Sequence, residues 1–275
     1  MAGPDQHPPL ARLTRSYRVV MGLMFTVIFM VFSEPTLGRL VNGVWSRGRF
    51  EYVSTLSLDV HAALGFSFVG LVFAQLVLGY QLVGSGRGRQ AHTRLGRTLL
   101  FAVIPVFLLG AGWVSLDRST TIAPEVSVIF KHHRPVVRWA LFTLIGFTAF
   151  FSVRAYLSIR RGDVAAHIDA VLGAIVLASG IAIIRFLYVV FWAIRGGSPF
   201  SVVGMYFLTV VVVFALLAGA YAAAGRLKQN SGPLALLVGV NLLLAVAGTG
   251  RYTFLDPADA IPEEASTPGP VGGRR

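Results

Sequence analysis

Seven apolar runs, each near the length that crosses a bilayer, dominate this sequence at residues 17–41, 57–83, 95–116, 134–159, 164–194, 199–224 and 232–250. A bilayer core takes roughly 20 apolar residues in helical form, and lipid satisfies no backbone amide, so runs of this kind fold as helices. The expected class is all-α, a polytopic integral membrane helical bundle of about seven transmembrane helices, with spans two to five as a core four-helix module. The seventh span is the shortest and is expected to begin after Gly232-Pro233. One seven-helix domain fills 17–250, and the tails at 1–16 and 251–275, rich in Pro, Gly and polar residues, are expected to be disordered.

With 55% hydrophobic and 13% charged residues in 275, the chain has too little polar surface for a soluble globule of its size. There is no cysteine, which removes disulfides, iron–sulfur clusters, zinc-thiolate sites and covalently attached haem. Any metal would take His, carboxylate or carbonyl ligands. The net charge of +12 is spread over loops between apolar runs, so its expected partners are the bilayer's anionic lipid headgroups and not nucleic acid. Arg12, Arg15 and Arg18 precede the first run as in a signal peptide, but the run is too long and lacks a small-residue cleavage site, which reads as a retained anchor.

Alternating the spans gathers Arg12, Arg15, Arg18, Arg87, Arg89, Arg94, Arg160, Arg161, Arg226 and Lys228 on one side. By the positive-inside rule that side is cytoplasmic, which places the N-terminus inside and the C-terminus outside a plasma (inner) membrane. Soluble-enzyme motifs are missing: there is no His-Glu-x-x-His and no phosphate-binding loop with its lysine.

Ionisable groups at or inside such runs are energetically expensive and are the first place to look for function. In span two, His61, Gly65, Phe68, Val72, Gln75 and Gly79 share one helical stripe, and Gln75 needs a hydrogen-bond partner, so the stripe is expected to face inward. A helix contact glued by Gln75 and a ligand-lined face both satisfy that pattern. Span three opens with a glycine-rich basic turn that leads to His92 and Gly96, and Pro105 is expected to bend it. His92 reads equally as a headgroup-level residue among arginines. In span five, His167, Ala170, Ala174, Ala178, Ile181 and Arg185 form one stripe, with His167 and Arg185 about 27 Å apart along a continuous helix. Arg185 needs a counter-ion or an anionic ligand, for which Glu34 and Asp59 are candidates. His132 and His133 stand just before span four. Helix direction then sorts the histidines into two pairs, His61 with His132 or His133 outside, and His92 with His167 inside.

The residues His61-x-x-x-Gly65 with Gln75, Arg89-Gln-Ala-His92-Thr-Arg-Leu-Gly96-Arg97, Arg160-Arg-Gly-Asp163-x-x-x-His167, and then Arg185 and Tyr188, resemble the uncharacterised bacterial membrane family DUF2306 over roughly 57–195. That family carries no established reaction. The chain departs from it at Ile168-Asp169, where the family commonly has Arg and a Trp-Met pair. More distantly the arrangement is similar to cytochrome b-561 proteins, whose four helices hold two b-type haems between histidines on helices 2/4 and 3/5. That resemblance implies haem b as cofactor, His61, His133, His92 and His167 as iron ligands, and Arg185 and Gln75 beside the cofactor or a quinone. Three classes stay open: a haem-b electron-transfer protein linked to quinone or another redox partner, a transporter or small-ligand binding protein, and a non-catalytic accessory or assembly subunit.

Overall fold

The computed structural model describes residues 17–31, 45–47, 50–52, 56–116, 124–195 and 202–249. Helix α1 spans Tyr17–Val31. A small antiparallel ribbon follows, β1 (Trp45–Arg47) with β2 (Phe50–Tyr52), Trp45 opposite Tyr52. Then come α2 (Leu56–Ser85), α3 (Arg89–Thr98), a π-helical turn at Leu99–Val103 that runs into α4 (Ile104–Leu116), and α5 (Pro124–Arg160). The chain continues through α6 (Val164–Ala178), α7 (Gly180–Arg195), α8 (Val202–Ala223) and α9 (Leu227–Thr249).

Every apolar run carries helix. Four stretches, Ala62–Leu82, Arg89–Trp113, Phe142–Arg160 and Gly204–Ala223, are long and apolar enough to cross a membrane, while Tyr17–Val31 and Val164–Ala178 are apolar but shorter. Large apolar side chains are turned outward on several helices, among them Phe29, Leu109, Leu243 and Val246, each more than 70% exposed. A surface of that kind fits a helical bundle in contact with lipid.

The core lies where α5, α6 and α8 meet, with Phe151, Leu172, Val176, Leu217 and Tyr221 fully buried. Gly173 lets α6 approach the Phe151 ring so closely that a methyl group there would overlap it. Aromatic pairs join the remaining helices: Phe68 stacks on Phe107 at 4.4 Å between α2 and α4, and Phe25 meets Phe73 edge-on at 5.4 Å between α1 and α2.

Three short turns close one end of the bundle. Each uses glycine in the left-handed region, Gly86 and Gly88 between α2 and α3, Gly162 between α5 and α6, and Gly225 between α8 and α9. Asp163 caps α6 by accepting the Ala166 N–H at 2.9 Å, and Arg226 N–H closes the end of α8 on the Tyr221 carbonyl at 2.7 Å. Arg18 at the start of α1 lies 4.3 Å over the Tyr80 ring near the end of α2, so α1 begins at this same end.

Several expected boundaries are corrected. α5 begins at Pro124, ten residues before the apolar run, which puts His132 and His133 inside a helix and not before one. α9 begins at Leu227 and takes Pro233 into its interior. There Asn230 Nδ2 donates to the Arg226 carbonyl and Ser231 Oγ to the Lys228 carbonyl, so side chains support the turns that lead into the proline. The fifth span is divided into α6 and α7 by a single turn residue, Ser179 (φ −80°, ψ −3°), across which the Ser179 N–H to Ile175 carbonyl bond at 3.0 Å and the Ile183 N–H to Ser179 carbonyl bond at 2.9 Å are kept. Pro105 acts on the turn before it, where Ile104 N–H reaches back five residues to the Leu99 carbonyl in a π bond.

Candidate functional site

The inward stripe of α2 is present and finds its partner on α3. Phe68 and Val72 are buried, and farther along the same face Gln75 Nε2 lies 3.3 Å from His92 Nε2. Two glycines make this contact possible. The His92 ring packs on Gly79, and a side chain at Gly96 would meet Gln75 Nε2 at 2.8 Å.

The pair is incompletely bonded. Gln75 Oε1 and His92 Nδ1 are both buried with no hydrogen-bond partner. If the amide N–H donates to His92 Nε2, the ring's Nδ1–H and the amide oxygen are unmet; if the amide is turned, His92 Nδ1 becomes a lone pair and the amide N–H₂ is unmet. Either setting leaves donor and acceptor capacity unmet in the pair.

His167 lies within electrostatic reach of His92. Its Nδ1 is 2.9 Å from the Ala155 carbonyl of α5, and since a carbonyl only accepts, Nδ1 is the donor of this bond. The predicted inner pair is therefore brought to one end of the bundle by α3 and α6. The outer pair lies on described backbone in α2 and α5, but the side chains of His61, His132 and His133, and that of Tyr188, fall outside the described residues. Glu34 and both tails fall outside them as well. Arg185 is exposed on α7, not set on an inward face shared with His167.

A second polar cluster, beside the first, centres on Asp169, a residue that stood out in the sequence only as a departure from a family pattern. Its side chain is fully buried. Tyr17 donates to Oδ1 at 2.6 Å; on Oδ2 converge Arg226 Nε at 3.0 Å, Arg226 Nη2 at 2.9 Å and Asn230 Nδ2 at 2.9 Å. Tyr221 adds a bond from its hydroxyl to the Asp169 carbonyl at 3.0 Å and meets the Tyr17 ring edge-on. The Schellman-type turn at Gly225 delivers Arg226 to this place, and the first turn of α9 delivers Asn230. Asp169 thus ties α1, α8 and α9 to α6, its carboxylate holding Tyr17, Arg226 and Asn230 and its backbone carbonyl holding Tyr221. The available signal was a lone carboxylate six residues into an apolar run, which is costly unless paired.

At the edge of this cluster Arg154 of α5 lies within electrostatic reach of Tyr221, and its Nη1 is buried without a hydrogen-bond partner. Asn230 Oδ1 is in the same condition.

With this geometry in place, comparison with known proteins adds no relative. No protein-family model matches the chain, and searches of curated proteins and of solved structures return no match. Function rests on the geometry. Among the described residues no group of three or more His, Cys, Asp or Glu side chains gathers to hold a bare metal ion. A bis-imidazole site needs only two.

Proposed function

We propose that the chain is a seven-span protein of the bacterial inner membrane, N-terminus cytoplasmic and C-terminus external, that binds b-type haem between α3 and α6 and exchanges electrons with a quinone. The DUF2306 resemblance and the cytochrome b-561 plan belong to the same proposal. The observation that carries it is the pair His92 and His167, on separate helices at one end of the bundle, with His167 oriented by the Ala155 carbonyl.

That carbonyl does for His167 what an outer hydrogen bond does for a metal-ligating imidazole: it fixes the tautomer and orientation of the ring. The buried, unmet His92 Nδ1 fits a ring that still lacks a partner. Bound there, haem supplies one-electron chemistry at iron. His92 and His167 would hold it, the buried Leu99 would help exclude water, and Arg154 offers an unmet cationic donor for a carboxylate. His61 and His133 would form the outer pair.

Absorbance spectra of the full-length protein, purified in detergent from haem-replete cells and recorded oxidised and then dithionite-reduced, test this. A Soret band that shifts on reduction and is lost in His167→Ala, with unchanged elution on size exclusion, supports it; a colourless wild type overturns it.

The donor and acceptor left unmet by Gln75 and His92 favour a second reading, a transporter or binding protein for a small polar ligand. Saturable binding of a quinone analogue by colourless protein, abolished in Gln75→Leu, would select that reading. A colourless protein that binds nothing and co-purifies with a larger complex would be an accessory subunit.

A further inference from the structure

The geometry points to a binding site for one anionic glycerophospholipid on the outer face of α3, which we propose as a structural lipid site separate from the histidines. The inference rests on the membrane reading alone and is indifferent to haem. Arg89, Gln90, Thr93, Arg94 and Arg97 line an open-sided cleft of about 480 Å³. All five are exposed. Arg89, Thr93 and Arg97 recur every four residues, with Gln90 and Arg94 in the adjacent row, so the three guanidinium groups share one facet. No acidic residue occurs anywhere from 84 to 116, so the positive field is not compensated along this helix.

Arginine recognises a phosphodiester by paired N–H donors as well as by charge, and Gln90 and Thr93 add neutral donors suited to a glycerol hydroxyl. The apolar strip beyond the cleft makes the occupant a lipid and not a soluble phosphate. There the same span exposes Phe101, Val106 and Leu109, at 63%, 48% and 72%. A headgroup on the arginines would lay its acyl chains on that strip, whereas a soluble phosphate would leave it uncovered.

The test uses full-length protein in nanodiscs and native mass spectrometry of the lipids retained after detergent extraction. Each arginine near an anionic surface is worth about fivefold in affinity. Phosphatidylglycerol should be retained over phosphatidylcholine, and the preference should fall about 25-fold in Arg94→Gln/Arg97→Gln while Arg160→Gln/Arg161→Gln keeps it. Because these side chains are exposed, the variants should elute and melt as the wild type does. Equal retention of the two lipids, equal loss in both double variants, or full displacement by soluble glycerol phosphate would each overturn the proposal.

Discussion

Asp169 and His92 lie at the same end of the bundle, yet one is wrapped by Tyr17, Arg226 and Asn230 while the other rests on a single 3.3 Å contact with Gln75. The Asp169 carboxylate has both oxygens engaged. In the His92 pair a ring nitrogen and an amide oxygen are buried and unmet. A polar group whose bonds are all made has little to offer a ligand and much to offer the fold; a group left short has the reverse. On that ground the Asp169 carboxylate fastens α6 to the helices around it, and the Gln75–His92 pair is where a bound ligand is proposed.

The comparison breaks most sharply at Arg226. Arg226→Ala leaves a buried carboxylate without its counter-ion, a change worth about 3–5 kcal/mol, and should lower the thermal unfolding temperature in detergent more than substitutions at Tyr17, Gly173 or the Gln75–His92 pair. Tyr17→Phe keeps the ring and deletes one bond to a charged group, so about 1.5–3 kcal/mol is expected, read by the same melt. Gly173→Ala drives a methyl group into Phe151 at the heart of the α5–α6 contact and should cost about 1–3 kcal/mol while leaving any cofactor spectrum unshifted. The smallest effect on stability is expected at the Gln75–His92 pair. Gln75→Leu/His92→Leu removes both partners together, so stability should stay within about 1 kcal/mol of wild type while ligand or haem binding is lost. If that double variant unfolds as readily as Arg226→Ala, the pair is mortar like Asp169 and the contrast disappears.

Much of the helical layout could be read from the chain because apolar length is a local property. Gln75 also announced its own need, since an amide in an apolar stripe must find a partner, and its partner is on the next helix. What could not be read was partnership across long separations. Tyr17, Arg226 and Asn230 stand 152, 57 and 61 residues from Asp169. No periodicity links them, and Arg226 looked like one more basic residue of a loop. Pro233 reads as a helix boundary, yet α9 runs through it from Leu227, with Asn230 and Ser231 bonding the Arg226 and Lys228 carbonyls of the turn before it.

The π turn at Leu99–Val103 carries one more residue than α-winding needs. A one-residue deletion there would restore ordinary winding without severing the helix, because a π turn takes up its extra residue by widening and leaves the helix on either side in phase. His92 would stay beside Gln75 and Phe107 on Phe68, whereas a residue removed from the regular helix on either side would turn one of those contacts away by about 100°. The bulge is thus a length of slack in one rod, a place where one residue can be gained or lost while both ends of the helix keep their aim.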